Sequence, residues 1–236
     1  MNELDRHLDA YDQQFVLDNR LMLQWYPRRV VDLADGDSLL ELGLGHGWAS
    51  ECFAKRFSRY LVIEGSAEMI QRFRTRFDDS RMEIVQGFFE DFESAERFHH
   101  VNMGFVLEHV QDPGLLLRRF RTFLRSGGSI FVAVPNAESL HRRLGFHAGL
   151  LPNLTQLSDA DLGFGHRRYF TLATLRALVE SCGYEVVRTE GIFLKPITSA
   201  QIERLELPEC VLQAMLAVGV DYPELSNGLF LQARPR

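Results

Sequence analysis

The stretch 38–47, SLLELGLGHG, decides the fold. Its first half is a short apolar run suited to a buried strand. Its second half carries Gly43, Gly45 and Gly47, and WASECFAKRF (48–57) then continues with helical character. A glycine-rich strand-to-helix turn lets backbone approach a ligand with no Cβ in the way. In open α/β sheets ligands bind at the carboxyl ends of the strands. The spacing is G-x-G-x-G, not the G-x-G-x-x-G of a dinucleotide fingerprint. Glu41 points the same way, because a fixed carboxylate opposes a pyrophosphate and suits a ligand carrying an amine or a sulfonium.

Strand and helix patterns alternate outward from this loop. YLVIEG (60–65) and MEIVQG (82–87) read as strands, with the helix SAEMIQRFRTRF (66–77) between them. Ser66 is its expected N-cap, with Glu68 in the first turn. HHVNMGFV (99–106) and SIFVAVP (129–135) read as further strands, separated by a helix through residue 124 that Gly127 and Gly128 end. FTLATLRALVESCG is a helix capped by Thr171, and YEVVRTEGIFLK and GLFLQARP are the last two strands, expected to pair antiparallel at an edge. SAQIERLELPECVLQAMLAVGVDYPEL between them reads as helical. The order predicts an α/β fold: a mostly parallel seven-stranded sheet with helices on both faces. Upstream, residues 3–26 carry apolar side chains at helical spacing, with Pro27 expected to interrupt them.

Composition narrows the function. The 236 residues suit one domain with an insertion, and the formal net charge of −6 disfavours a broad nucleic-acid surface. Cys52, Cys182 and Cys210 form no CxxC pair, so neither a disulfide framework nor a zinc site is expected, and no metal is assigned. The first residues are polar and charged, and no apolar run nears the ~20 residues that span a bilayer. A cytoplasmic protein with no nucleic-acid or membrane partner is the expectation. The segment 199–219 could pack on the sheet or form a homodimer.

Glu64 ends the second strand, 21 residues past Gly43, where a carboxylate can accept hydrogen bonds from both hydroxyls of a ribose. Gly65 permits the turn after it. Met69, one helical turn on, packs on an adenine or faces the core.

ELGLGHG (41–47), IEGSAEMI (63–70), the VQG turn (85–87) and VLEHVQDP (106–113) together resemble class I S-adenosylmethionine-dependent methyltransferases of the small-molecule type. The resemblance covers about residues 38–135 well. It implies a Rossmann-like, doubly wound sheet, S-adenosylmethionine as cofactor and S-adenosylhomocysteine as product. It implies that the loop of Gly43, Leu44, Gly45 and Gly47 wraps the methionine part, with Trp48 beside it, and that Glu64 holds the ribose. Gly87, Phe88 and Phe89 would border the adenine. Phe105, Leu107, Glu108 and His109 would line the sulfonium side. Two positions depart from the family pattern. Phe88 stands where an Asp often binds the adenine amino group, leaving stacking, a backbone contact, Glu90 or Asp91 to substitute, and Phe98-His99 replaces a Phe-Asp.

Residues 136–168 break the strand–helix rhythm and read as an inserted cap. The whole chain is thus one domain: an N-terminal helical lid (1–34), a cofactor-binding core (38–135), the cap (136–168) and the remainder of the sheet (169–236). VPNAESLHRRLG (134–145) and LGFGHRRYFTLATLRALVESCGYEV (162–186) resemble methyltransferases found among carbohydrate- and polysaccharide-modifying enzymes.

His109 is a candidate general base, since imidazole titrates near neutral pH; packing before Asp112-Pro113 is the plainer alternative. His166 and Tyr169 leave the cap and face an acceptor or form its hinge. Arg142, Arg143, Arg167 and Arg168 form a basic cluster in an acidic chain, suited to an anionic acceptor or to Asp159 and Asp161. Tyr11 and Asp12 either close over the cofactor or lie in the core. The implied reaction is direct methyl transfer to a small-molecule acceptor, with a sugar or glycan-linked hydroxyl leading. Its rivals are a non-catalytic S-adenosylmethionine-binding module and an NAD(P)-dependent oxidoreductase, which Glu41, the loop spacing and the lack of a Tyr-x-x-x-Lys pair disfavour.

Overall fold

The computed structural model describes residues 16–77 and 80–236. The expected helix over residues 3–15, with Tyr11 and Asp12, lies outside them. The described elements run α1 (Val16–Leu33), β1 (Ser38–Leu42), α2 (Trp48–Arg56), β2 (Arg59–Glu64), α3 (Ala67–Arg76) and β3 (Glu83–Gln86). They continue with β4 (Phe98–Gly104), α4 (Pro113–Arg121), β5 (Leu124–Pro135), α5 (Leu140–His147), α6 (Asp159–Gly163) and α7 (Leu172–Ser181). β6 (Tyr184–Ile192), α8 (Ser199–Arg204), α9 (Glu209–Gly219) and β7 (Gly228–Pro235) close the chain.

Seven strands form one sheet in the order β3-β2-β1-β4-β5-β7-β6. The first five pair in parallel, and β7 lies antiparallel between β5 and β6. The last two strands do pair antiparallel, as expected, but of the two only β6 lies at an edge and β7 is interior. The apolar composition of β7 explains this, since Leu229, Phe230, Leu231 and Ala233 are all buried.

Side-chain alternation along the strands builds two cores. Leu40, Leu42, Leu61 and Ile63 pack with Leu117 and Phe120 of α4 and Leu175 and Val179 of α7. Leu39, Tyr60, Val62 and Phe131 face the other way, onto Val30 of α1, Phe53 of α2, Phe73 of α3 and Leu216 of α9. Ser66 caps α3 by accepting the Met69 N–H at 3.0 Å, and Thr171 caps α7 by accepting the Thr174 N–H at 3.1 Å, as their positions predict.

Three local expectations fail for physical reasons. Pro27 does not interrupt α1. The buried face of Leu17, Leu21, Met22, Tyr26 and Val30 is continuous across it, and that packing offsets the ~3 kcal/mol an internal proline costs. The helix expected through residue 124 stops at Arg121, and Gly127-Gly128 lies within β5, where the register against β4 shifts. The long helical stretch after β6 splits between Leu205 and Pro208, because proline cannot continue the hydrogen-bond ladder and Glu206 takes φ +46°.

Asn136 and Phe170 meet in an isolated parallel bridge, and the Ala137 N–H donates to the Phe170 carbonyl at 2.8 Å. The excursion carrying α5 and α6 therefore leaves and rejoins the sheet at one point. Among the described residues no helix is long and apolar enough to cross a membrane.

Candidate active site

The strand order reverses between β1 and β4, and their carboxyl ends open on a cavity of about 1010 Å³. The loop after β1 forms one wall. Its backbone is anchored by the Gly43 N–H, which donates to the Ile63 carbonyl at 2.8 Å. Gly45 has φ +48°, and a side chain there would meet nothing within 4 Å, so the backbone faces open space. Gly47 is a different case. It starts α2 at φ +83°, and a Cβ would stand 2.5 Å from the Phe77 ring and 2.8 Å from that of Phe73. Its size is required by packing as well as by backbone angle. Trp48 is half-buried and stacks on His46, with centroids 5.2 Å apart.

Two carboxylates flank this loop. Glu64 accepts the Leu44 N–H at 3.0 Å and the Ser66 N–H at 2.8 Å. Glu41 faces the α2 side of the sheet, where Ser50 donates to it at 2.8 Å, Asn102 at 3.3 Å, and the Tyr60 hydroxyl also donates. The sequence suggests an electrostatic role for Glu41 toward the ligand. The structure adds that three side chains already hold the group. Burial nevertheless pushes its carboxyl up to about 7, against the opposing hydrogen bonds from Tyr60, Ser50 and Asn102.

The opposite wall follows β4. Phe105 has φ +58°, a strained value for an aromatic residue, and stacks edge-on against Tyr26 at 5.6 Å. Glu108 is fully buried, and neither carboxylate oxygen has a hydrogen-bond partner. Burial raises its carboxyl to about 7, tempered by the charges of His166 and Arg168. The rings of His109 and His166 meet edge to face, 4.8 Å apart. His166 Nδ1 lies 3.2 Å from Asp161 Oδ1, to which the Tyr169 hydroxyl also donates at 3.0 Å. Burial would raise the Asp161 carboxyl, but hydrogen bonds from His166 and Ser158 hold it at about 2.

All fourteen cofactor-side residues expected from sequence line the one cavity: Glu41, Gly43, Leu44, Gly45, Gly47, Trp48, Glu64, Gly65, Met69, Gly87, Phe88, Phe89, Phe105 and Glu108. So do His109, Arg142, His166, Arg167 and Tyr169. Leu107 does not; it is fully buried in the core. Arg143 does not either. Its guanidinium donates to the Glu138 carbonyl at 2.7 Å and pairs with that residue's carboxylate at 3.4 Å. Arg168 is turned to the carbonyls of Leu107, Val110 and Gln111. Arg142 lies over the Tyr169 ring at 4.2 Å and donates to the carbonyls of Leu154 and Gln156. Of the two residues that could replace the missing Asp at position 88, Glu90 lines the cavity and Asp91 does not.

Sequence reasoning missed the far end of the cavity. There Asp18 of α1 accepts from Lys195, from Ser199 at 2.7 Å and from Asn227 at 3.2 Å. His141 lies nearby, its imidazole pushed down to about 2 by burial and by the charges of Lys195 and Arg142. These residues come from four separate segments, and no spacing pattern announces them.

The chain matches the family model described as a methyltransferase domain over residues 12–189. The chain belongs to the methyltransferase domain family. Its sheet is the class I form, and membership makes S-adenosylmethionine the cofactor. The cavity of this methyltransferase domain fits that group: Gly45 and Gly87 leave open space, and an unpartnered carboxylate lines a wall where positive charge would be stabilised. A relative in Mycolicibacterium smegmatis, named "Probable S-adenosylmethionine-dependent methyltransferase/", is 26% identical over 70% of this chain. The match spans 59% of that relative's length. A ubiquinone biosynthesis O-methyltransferase of Aeromonas salmonicida is 25% identical over 77% of this chain and 76% of its own. The crystal structure of an S-adenosylmethionine dependent methyltransferase from Mesorhizobium loti aligns with a TM-score of 0.62 at 19% identity, covering 90% of this chain and 97% of that one. The last likeness is one of fold.

Proposed function

We propose that this domain methylates a hydroxyl of a small-molecule acceptor, of the sugar or glycan-linked kind. The carrying observation is that one cavity joins the glycine loop and Glu64 to Phe105, His109, His166, Arg142, Arg167 and Tyr169. At about 1010 Å³ it sits at the upper end of small-molecule pockets, with room for an acceptor beside a cofactor. That space favours an enzyme over a non-catalytic binding module.

Bound S-adenosylmethionine supplies a methyl group already activated by its sulfonium. The protein then has to align the acceptor and exclude water. Glu64 and the loop of Gly43, Leu44, Gly45 and Gly47 hold the cofactor end, with Gly65, Met69, Gly87, Phe88 and Phe89 around the base. Leu150, Leu151 and Phe164 add apolar wall around the acceptor end. With Nδ1 directed to Asp161, His166 has Nε2 left to take a proton, and His109 stands beside it. Arg167 and Tyr169 are the polar groups suited to orient acceptor oxygens.

The test incubates the protein with methyl-labelled S-adenosylmethionine and a panel of free sugars, glycosides, phenols and amines. Label in a sugar-type hydroxyl supports the reading. Label in amines alone overturns it, and label in phenols alone keeps the oxygen acceptor but removes the sugar.

A further inference from the structure

The described residues bring together a ligand set that the sequence hides. We propose that Glu108, His109 and His166 bind a divalent first-row transition cation on the acceptor side of the cavity. One ligand atom from each of the three lies within 4.8 Å of the others. A tetrahedral cation with bonds near 2.1 Å holds its donors about 3.4 Å apart, so binding draws the group inward by about an ångström.

Four observations converge. First, Glu108 is fully buried with both oxygens unpartnered. A buried carboxylate is costly unless a proton or a cation compensates it, and two oxygens without donors are acceptors with nothing to accept. Second, the neighbouring imidazole is oriented from behind: His166 Nδ1 meets Asp161, and Asp161 is itself held by the Ser158 N–H at 2.8 Å, the Ser158 hydroxyl at 2.6 Å and Tyr169. A carboxylate behind a ligating histidine fixes its ring and raises its basicity.

Third, the two chain segments that carry the ligands are tied together. The Arg167 N–H donates to the Glu108 carbonyl at 2.8 Å, and Arg168 donates to the Val110 carbonyl at 2.7 Å. Fourth, all three residues line the cavity, so further coordination positions face the space for an acceptor. Three protein ligands with an open position are the pattern of a working metal centre, and two imidazoles with one carboxylate suit zinc or manganese better than calcium. Such a cation would hold an acceptor oxygen and ease loss of its proton, replacing proton uptake by His166, whose Nε2 it would occupy. That consequence rests on the function proposed above; cation binding itself does not.

The experiment titrates chelator-stripped protein calorimetrically with Zn²⁺ and with Mn²⁺, alone and with saturating S-adenosylhomocysteine. One equivalent is expected. Affinity should be lost in Glu108→Gln and His166→Ala, and should fall roughly 10- to 100-fold in Asp161→Asn. Manganese paramagnetic resonance gives a second readout in any variant that still binds S-adenosylhomocysteine and is therefore folded. Wild type that binds S-adenosylhomocysteine yet takes up neither cation overturns the proposal, as does binding unchanged in both Glu108→Gln and His166→Ala. Failure of the acceptor panel with intact cation uptake would count against the proposed reaction alone.

Discussion

The carboxylate of Glu64 accepts the backbone N–H of Leu44 at 3.0 Å, tying the end of β2 to the middle of the glycine loop on β1. Its other oxygen accepts the Ser66 N–H at 2.8 Å. A carboxylate offers about four acceptor sites, and ribose hydroxyls would be recognised at this same group. Removing it should act twice, on the loop and on the ligand. Glu64→Ala is expected to weaken S-adenosylhomocysteine binding by about ten- to a hundredfold, the range for hydrogen bonds to a charged group. Calorimetric titration of folded variant and wild type checks this. Affinity within threefold of wild type would overturn the proposed role of Glu64 as ribose anchor.

Gly45 and Gly47 share one motif but should respond differently to alanine. At Gly47 the added Cβ meets two rings below 3.0 Å, in a left-handed backbone. Gly47→Ala should lower stability by about 2–4 kcal/mol through overpacking and backbone strain. At Gly45 there is open space, so Gly45→Ala should cost only about 1 kcal/mol while impairing ligand binding, because the methyl group enters the cavity wall. Urea unfolding beside binding titrations separates the two. Equal stability losses would show that the loop is shaped by backbone angle alone.

This contrast bears on what the sequence could show. The strand–loop–helix pattern at residues 38–57, Ser66 as a cap and Glu64 at a strand end were legible because each depends on neighbours in the chain. Position 47 was legible as a glycine turn. Its clash with Phe73 and Phe77 was not, because that depends on how α3 docks. Arg142 and Arg143 look equivalent in sequence. The turn of α5 buries the first over Tyr169 and sends the second to Glu138. The pairing of His109 with His166, and of Asp18 with Lys195, joins segments that no periodicity links.

Arg142→Met would leave the Leu154 and Gln156 carbonyls without their donor and remove the cation over Tyr169. A loss of about 1–3 kcal/mol in unfolding free energy is expected. Arg143→Ala breaks a partly exposed ion pair with Glu138 and the hydrogen bond to that residue's carbonyl, and should stay within about 1 kcal/mol. Denaturant titration of both variants is the check. Comparable losses would mean that Arg142 does not pin residues 154–156.

Glu41 contributes one part of the pH dependence, and Glu108, whose carboxyl burial also raises to about 7, contributes another. The Glu41 carboxyl is raised by burial from 4.5 to about 7, so the folded state holds the proton more tightly than the unfolded state. The resulting stabilisation is fully present below pH 4.5 and is lost as pH rises through about 7. Glu41→Gln cannot titrate. The stability of wild type relative to Glu41→Gln, measured without ligand, should therefore fall between pH 5 and pH 8, by no more than about 3 kcal/mol. A cationic ligand favours the charged carboxylate, so S-adenosylmethionine should bind with proton release at pH 6 and much less at pH 8. Titrations at each pH in two buffers of different ionisation enthalpy read that release, and the difference between wild type and Glu41→Gln separates the share of Glu41 from that of Glu108. Parallel pH profiles for wild type and Glu41→Gln would mean that the donors from Ser50, Tyr60 and Asn102 keep Glu41 ionised throughout.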